Sequence, residues 1–367
     1  MALAGATKFG AAASGAMKEL TFSQAVNQAI RQEMRRDPAI VVIGEDVAGA
    51  AGRAHLGLVD AWGGPTRSTR GLVTEFGPER VLDTPIAEMG FLGAAVGAAM
   101  SGLRPIVDLG FVDLIGCCYD QLVNQAAKMR YMMGGQVQIP LTVRLSYGAR
   151  PPTGQSVGGG AAAQHSQTLY AVLAHVPGLK VVAPTTAYNA KGLLIAAIRD
   201  DDPVVFFEHR YLGPRARASV PEEPYTLPLG KAHIPRPGRD VTLCGIGRMT
   251  QVCLEAAERL VADRLDAEVV DVLSIAPLDV ATILESVART KRLVVVDEDT
   301  PLCSLAHTIA ARVADEGFDR LDAPIKTLNS VDAPVPYSAA LEAVYTPSPE
   351  RVVGAVHALF GIGESRG

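Results

Sequence analysis

Polar side chains at three places in the chain could carry chemistry, and each stands beside an apolar or glycine-rich segment. Glu45 follows the apolar run AIVVIG, Glu88 lies in PIAEMG, and His165 lies in AAQHSQ, after a glycine-rich loop. Histidine titrates near neutral pH, and burial moves carboxyl pKa values toward neutrality. These positions are therefore candidates for general acid–base catalysis.

Glu88 stands out because the residues after it are small and apolar. In TPIAEMGFLGAAVGAAMSG, residues 84–102, large apolar side chains recur at helical spacing, and glycines stand at positions 90, 93, 97 and 102. Glycine costs roughly 1 kcal/mol relative to alanine inside a helix, so we expect another backbone or a ligand close to this segment. A buried carboxylate must be neutralised or paired. Glu88 could equally be an acidic residue stabilised by the dipole of the first helical turn.

The other candidates also have structural explanations. His165 could be a hydrogen-bonded structural histidine, and Glu45 could cap the turn after its strand. The chain contains no GxxxxGK[ST] phosphate loop and no GxSxG nucleophile elbow. The segment GAAVGAAMSG is loosely similar to a dinucleotide-binding fingerprint, but it follows Glu88 rather than a strand-to-helix turn, which indicates packing.

The elements that must position these residues alternate between helix and strand. A threonine at position 21 precedes the helical pattern FSQAVNQAIRQEMRR, and apolar strands such as VVIG, RPIVDLG and PVVFFEH follow along the chain. Continuous Val, Ile and Leu runs are typical of parallel sheets covered on both faces, whose ligands bind beyond the carboxyl ends of the strands. We expect an α/β protein with a loose extension over residues 1–16, a first domain over 17–210, a proline-rich linker over 211–239 and a second domain over 240–361.

Composition limits the partners and the compartment. The 367 residues carry 34 Lys and Arg against 39 Asp and Glu, a net charge of −5, with no basic block. Nucleic acid is therefore not expected as a partner. No uninterrupted apolar run is long enough for a membrane span, and the N-terminal residues make a poor secretion signal. Five scattered cysteines fit buried thiols in a reducing, cytoplasmic setting.

Several long motifs together carry a family resemblance. The motifs are, in chain order, VIGEDV, LDTPIAEMGFLGAAVGAAMSGLRPIVD, NQAAKMRYMMGG, AAQHSQTLYAVLAHVPGLKVVAP and LVVVDED. Both the motifs and their order resemble the beta subunits of thiamine-diphosphate-dependent 2-oxo acid dehydrogenases. DAWGG, at residues 60–64, and AKMRYMMGG are most similar to acetoin dehydrogenases. The resemblance implies an N-terminal pyrimidine-binding domain with a parallel sheet and a C-terminal transketolase-like α/β domain.

The resemblance assigns roles to the candidate residues. It implies that Glu88 forms a hydrogen bond to a ring nitrogen of the coenzyme's aminopyrimidine and thereby activates the coenzyme. His165 would lie beside the substrate and the lipoyl group and act as a proton donor or oxyanion stabiliser. Glu45 would join a proton path between coenzyme sites, and Ile86 would line the coenzyme pocket. The family often places Met and Phe against the aminopyrimidine, whereas this chain has Gly110 and Leu114 at the matching positions, so we expect a roomier pocket.

The resemblance also implies bound ions and partners. A structural monovalent cation, with potassium as the candidate, would lie at positions that often contribute backbone carbonyls: Leu141, Ala197, Ile198, Asp200 and Asp202. The chain lacks a GDG motif followed by Asn, so an alpha subunit is expected to hold the diphosphate and its Mg²⁺ in an alpha2-beta2 heterotetramer. A dihydrolipoyl acyltransferase core would dock mainly through the C-terminal domain.

Two alternatives to an acetoin dehydrogenase subunit remain at this stage. The small-molecule substrate could be pyruvate or a branched-chain 2-oxo acid, handled by an enzyme of the same design. The changes at Gly110 and Leu114 also permit a non-catalytic scaffold subunit, although Glu88 and His165 are retained.

Overall fold

The computed structural model describes residues 16–49, 63–64, 66–149 and 161–362. Within these residues the chain forms two compact units that are not continuous in sequence. The N-terminal unit contains residues 16–147 and 172–229, and the C-terminal unit contains residues 148–171 and 230–362. The predicted N-terminal extension lies outside the described residues, apart from Ala16.

The N-terminal unit is built on a parallel sheet. The strands of this unit are β1 (Met17–Thr21), β2 (Ile40–Glu45), β3 (Val81–Thr84), β4 (Arg104–Phe111), β5 (Thr142–Tyr147), β6 (Lys180–Val182), β7 (Val204–His209) and β8 (Arg217–Pro221). Six of them are hydrogen-bonded in the order β6-β7-β5-β4-β2-β3, and every pairing among these six is parallel. β1 and β8 form a separate antiparallel pair.

Helices connect these strands, as the sequence pattern predicts for parallel pairing. They are α1 (Phe22–Arg36), α2 (Leu72–Phe76), α3 (Glu88–Met100), α4 (Ala127–Met132), α5 (Tyr170–Ala174, which spans the sequence boundary of the units) and α6 (Ala187–Arg199). The predicted start of α1 is confirmed: the hydroxyl of Thr21 accepts from the backbone N–H of Gln24, whose side chain accepts in turn from the N–H of Thr21. This capping box satisfies two N–H groups that the helix cannot.

The C-terminal unit contains a second, mostly parallel sheet. The strands of this unit are β9 (His233–Arg236), β10 (Val241–Gly245), β11 (Ala267–Asp271), β12 (Ser274–Ala276), β13 (Leu293–Val296) and β14 (Lys326–Leu328). Five pair in the order β14-β13-β10-β11-β9, with only β9 antiparallel to its neighbour. The helices are α7 (Met249–Leu260), α8 (Val280–Thr290), α9 (Leu305–Gly317), α10 (Ala339–Tyr345) and α11 (Pro349–Phe360).

Buried aliphatic strands form the core of each unit, as their composition predicts. Every residue of β5 and β7 is buried in the N-terminal unit, and every residue of β10, β11 and β13 is buried in the C-terminal unit. Strands buried along their whole length need cover on both faces. Among the described residues, no helix is long and apolar enough to cross a membrane.

Two segments depart from a simple alternation of helices and strands. Residues 112–132 form no single helix but a 3-10 helix over Val112–Cys117, a π-helix over Gln121–Ala126 and then α4; Gly116 weakens the first part because glycine is a poor helix former. The proline-rich segment 211–239 contains the strands β8 and β9. Prolines are tolerated there because a strand at a sheet edge needs fewer backbone donors.

Candidate active site

The strand order of the N-terminal unit places a crevice between two strand ends. After β2, the chain adds β3 on one side of it and β4 on the other. Such a reversal of strand order opens a crevice at the carboxyl ends of the flanking strands, where ligands of parallel sheets bind. β2 ends at Glu45, and β4 ends at Phe111, directly after Gly110. Two of the predicted site positions therefore flank this crevice.

The carboxylates of Glu88 and Glu45 interact at this edge. Glu88 is the first residue of α3, which follows the end of β3, and only 8% of its surface is exposed. Burial raises the pKa of Glu45, and the negative charges of Asp46 and Glu88 raise it further. The structure thus brings together the two acidic residues that the sequence singled out.

Two neighbours that the sequence reasoning did not assign to the site complete this acidic edge. Asp83 is the last residue but one of β3 and lies opposite Gly44 of β2, and its carboxylate accepts from the backbone N–H of Ala48 at 2.6 Å. Burial raises the pKa of Asp83 as well. The pKa of the Cys118 thiol is raised to about 12, chiefly by burial and then by the charge of Glu88. That thiol stays protonated at neutral pH and is not a nucleophile.

The remaining coenzyme positions leave open surface at the same edge. Ile86 lies in the turn between β3 and α3 and is 73% exposed. Gly110 has a φ of +78°, and a Cβ atom placed there would have open space within 4 Å as far as the described residues go. Leu114 lies in the following 3-10 helix and is half-buried. These residues fit a flat, partly polar ring, since they offer an apolar side chain, an uncrowded backbone and a buried carboxyl group.

The glycines of α3 do not touch another backbone in the described residues. The nearest atom to a Cβ on Gly93 would be a side-chain carbon of Gln121 at 3.5 Å, and a Cβ on Gly97 would have open space. The expected close approach is therefore absent from the described part of this chain.

His165 lies in the C-terminal unit, and the glycine-rich loop before it, residues 150–160, lies outside the described residues. His165 is half-buried, and its backbone N–H donates to the carbonyl of Ala162 at 3.5 Å. The next residue, Ser166, is buried.

A cavity of about 360 Å³ lies in the C-terminal unit beside these residues. Its lining includes Ser166, Gln167, Glu298, Asp299 and Tyr345. Glu298 is paired with a buried arginine, whose Nε lies 3.2 Å from its carboxylate. Burial and the nearby carboxylates raise the pKa of Asp299 to about 8. The sequence reasoning missed this cavity because its residues come from five separated segments.

The positions expected to hold a monovalent cation lie together, and several of their carbonyls already accept hydrogen bonds. The carbonyl of Leu141 accepts from Val204, and the Arg104 guanidinium donates to the carbonyls of Ile198 at 3.0 Å and Asp200 at 2.6 Å. A carbonyl oxygen has two lone pairs, so these bonds do not by themselves prevent cation binding.

The other positions of this set, Ala197 and the side chains of Asp200 and Asp202, also make polar contacts within the chain. The carbonyl of Ala197 accepts from the N–H of Asp200 at 3.2 Å. The carboxylates of Asp200 and Asp202 both contact the Lys180 ammonium. Among the described residues, no group of three His, Cys, Asp or Glu side chains is arranged to hold a metal ion.

Two family descriptions match the chain. Residues 18–215 match "Transketolase, pyrimidine binding domain", and residues 230–352 match "Transketolase, C-terminal domain". Among solved structures, a split-gene transketolase described as an inactive beta4 tetramer has a TM-score of 0.72 and covers 94% of this chain and 99% of its own. Its sequence identity is 22%, so it supports the fold alone.

Curated relatives are similar over nearly the whole chain. The beta subunit of the Bacillus subtilis acetoin:2,6-dichlorophenolindophenol oxidoreductase is 51% identical over 93% of this chain and 97% of its own length. The beta subunit of the Rhizobium meliloti pyruvate dehydrogenase is 43% identical over 94% of this chain and 70% of its own. The beta subunit of the Bacillus subtilis 2-oxoisovalerate dehydrogenase is 40% identical over 94% of this chain and 99% of its own length. With both of its domains matched and the predicted carboxylates at the sheet's crevice, the chain belongs to the transketolase-like beta subunits of acetoin, pyruvate and branched-chain 2-oxo acid dehydrogenases.

Proposed function

We propose that this chain is the beta subunit of a thiamine-diphosphate-dependent acetoin dehydrogenase, which cleaves acetoin and passes the acyl group to a lipoyl carrier. The observation that carries the proposal is the carboxyl pair at the crevice of the parallel sheet, in which Glu88 is buried and Glu45 is half-buried with a raised pKa. The choice of acetoin is supported by the 51% identity to an acetoin-oxidising relative, against 43% and 40% for the two 2-oxo acid enzymes.

Glu88 has the central role in this proposal. When bound, thiamine diphosphate supplies the carbon that attacks a substrate carbonyl and then accepts the electrons of the broken C–C bond. Glu88 holds a proton at the aminopyrimidine ring nitrogen, in a setting where water competes weakly because the carboxyl group is nearly buried. Since such proton sharing requires an ionisable group, an amide at this position cannot replace the carboxyl group.

Glu45 and His165 have supporting roles. The raised pKa of Glu45 keeps a proton available near Glu88 at a higher pH than an ordinary carboxyl group would. Ile86, Gly110 and Leu114 form the wall against the ring. His165 acts on the substrate and lipoyl side as a proton donor.

The remaining groups come from partners. The acetoin-oxidising relatives are themselves beta subunits, which supports a complex with an alpha subunit. We assign the Mg²⁺ and the diphosphate to that alpha subunit in an alpha2-beta2 heterotetramer, and the acyl acceptor to a dihydrolipoyl acyltransferase core. A potassium ion at the Ile198 and Asp200 carbonyls and a cytoplasmic location belong to the same proposal.

The substrate is tested by reconstituting the chain with its proposed alpha subunit. Acetoin, pyruvate and 2-oxoisovalerate are offered separately, and reduction of 2,6-dichlorophenolindophenol is followed. We expect acetoin to give the highest kcat/KM by at least about tenfold, which corresponds to ~1.4 kcal/mol of transition-state stabilisation. A preference for pyruvate or 2-oxoisovalerate would favour the 2-oxo acid alternative. No turnover of any of them, despite coenzyme binding, would favour a scaffold subunit.

A further inference from the structure

A buried arginine lies under the wall of the proposed coenzyme site. Arg144, on β5, is 1% exposed, and it pairs with two carboxylates that are themselves buried. Its Nε donates to Glu208 on β7 at 2.6 Å, and its Nη1 donates to Asp108 on β4 at 3.1 Å. Its Nη2 donates to the hydroxyl of Ser68. One guanidinium thus ties together three neighbouring strands and the loop that contains Ser68.

Asp108 connects this arginine to the site. The Asp108 carboxylate uses one oxygen for Arg144 and the other to accept from the backbone N–H of Gly110 at 3.2 Å. Asp108 lies directly opposite Arg144 in the ladder of β4 and β5. The next paired residue of β4 is Phe111, so β4 has one more residue than β5 over this stretch. The extra residue makes a bulge, a feature that redirects side chains next to active sites.

The bulge needs support because its backbone is unusual. Gly110 has a φ of +78°, which only glycine adopts readily, and glycine is also the residue least restrained by its own side chain. The bond from its N–H to Asp108 is therefore an external restraint on its position. Without the pairing to Arg144, the Asp108 carboxylate would lose its own anchor.

The same carboxylate is adjacent to the strand that ends in Glu45. Gly44 lies opposite Asp108 in the ladder of β2 and β4, and a Cβ on Gly44 would come within 2.3 Å of the Asp108 carbonyl oxygen. A Cβ on Gly64, in the loop after β2, would lie 3.5 Å from the Asp108 carboxylate. The backbones on both sides of the crevice therefore pack directly around the residue that Arg144 holds.

We propose that Arg144 is a positioning residue for the coenzyme site, and that its pairing with Asp108 fixes the Gly110 bulge against which the aminopyrimidine ring lies. This inference rests on the proposed function. A planar guanidinium suits the task because it directs separate N–H groups at Glu208, Asp108 and Ser68 at once, whereas a lysine ammonium is a single point charge. Arg144 acts through Asp108 and Gly110 and makes no contact with the reacting atoms.

The test compares coenzyme affinity in two variants of the reconstituted complex, each of which removes a buried guanidinium. Arg144→Met removes this guanidinium, and Arg248→Met removes the guanidinium that pairs with Glu298 in the C-terminal unit. Arg144→Met leaves two buried carboxylates unpaired and Arg248→Met leaves one, so both should lower the unfolding temperature. At a temperature where both remain folded by circular dichroism, we expect Arg144→Met to raise the Kd of thiamine diphosphate at least tenfold. We expect Arg248→Met to stay within about twofold of the wild type.

A conservative variant keeps the test decisive if Arg144→Met does not fold. Arg144→Lys retains the charge but not the three-way pairing, so we expect a coenzyme Kd between those of the wild type and Arg144→Met. At saturating coenzyme its kcat should return to within about threefold of the wild type, since Glu88 is untouched. Equal coenzyme affinity for Arg144→Lys, Arg248→Met and the wild type would overturn the inference. A wild-type complex that does not bind thiamine diphosphate would instead overturn the proposed function.

Discussion

Glu88 combines two properties that seldom occur together at the start of a helix. The first turn of a helix favours a negative charge, yet the Glu88 side chain is almost entirely buried, and the N-cap residue of α3, Ala87, gives no side-chain cap. A surface residue stabilised by the dipole would lie in water. The burial therefore favours the catalytic interpretation over the dipole interpretation that the sequence alone left open.

Replacing Glu88 by glutamine should abolish turnover in the reconstituted complex. Glutamine has the same shape but cannot hold and release a proton, so we expect less than about a tenth of wild-type activity, a barrier increase above ~1.4 kcal/mol. Coenzyme-dependent oxidation of the substrate is the measurement. Glu79→Gln, at an exposed position after α2, is the matched control and should retain full activity. Substantial activity in Glu88→Gln would remove Glu88 from the mechanism.

Individual residues differed in how well the sequence predicted them. Glu45 and Glu88 were predictable because each is an isolated carboxylate at the boundary of an apolar segment. Arg144 and Asp108 were not, because they lie inside strands that otherwise read as core, VRLSY and IVDLG. Only the pairing of β4 with β5 shows that these two charges neutralise each other. A charge within a buried strand is a signal that could have been used, since it requires a partner nearby.

At the scale of elements, the strands were predicted most reliably. Aliphatic runs such as VVFFEH and LVVV became the buried strands β7 and β13. Elements at edges were harder, because β8 and β9 carry prolines and get their stability from pairing rather than from their own composition. The broken helix after β4 shows the same limit. Its local sequence favours a helix, whereas the chain must turn sharply after the Gly110 bulge.

The loop after β13 carries a carboxyl group whose ionisation should oppose folding. The pKa of Asp299 is about 8 in the folded protein, against an ordinary value of 3.8, and burial is the largest cause. The charged form is therefore disfavoured in the folded state. Below about pH 4 the group is neutral in both states and costs nothing, and the cost grows as the pH rises from 4 to 8.

Asp299→Asn should accordingly become stabilising as the pH rises. The asparagine oxygen can still accept from the N–H of Thr300, which lies 2.8 Å from the Asp299 carboxylate. We expect a gain of at least about 1 kcal/mol in the free energy of unfolding at pH 8.5, and almost none at pH 4, since each unit of pKa shift corresponds to ~1.4 kcal/mol. Thermal unfolding across this pH range is the measurement. Asp332→Asn, at an exposed position lining the same cavity, is the control; a pH-independent difference would contradict the assignment.

At the scale of the whole molecule, the proposed function gives the chain one side of a coenzyme site. The N-terminal unit has a carboxyl pair, an uncrowded glycine and an exposed isoleucine at the crevice of its sheet, all suited to the aminopyrimidine ring. The fold class and the family were predictable because long motifs occur in order along the chain. The substrate was not, because part of the substrate wall would come from another chain, and no pattern within this sequence describes that chain.

The central claim is that this chain alone provides only the aminopyrimidine half of the site. A diphosphate needs a hard cation held by oxygen ligands, and the aminopyrimidine end alone supplies too few contacts to hold the coenzyme. Calorimetric titration with thiamine diphosphate and Mg²⁺ tests this directly, first on the isolated chain and then on the complex with its alpha subunit. We predict no binding tighter than millimolar for the isolated, folded chain and micromolar or tighter binding for the complex. Micromolar binding to the isolated chain would contradict the account.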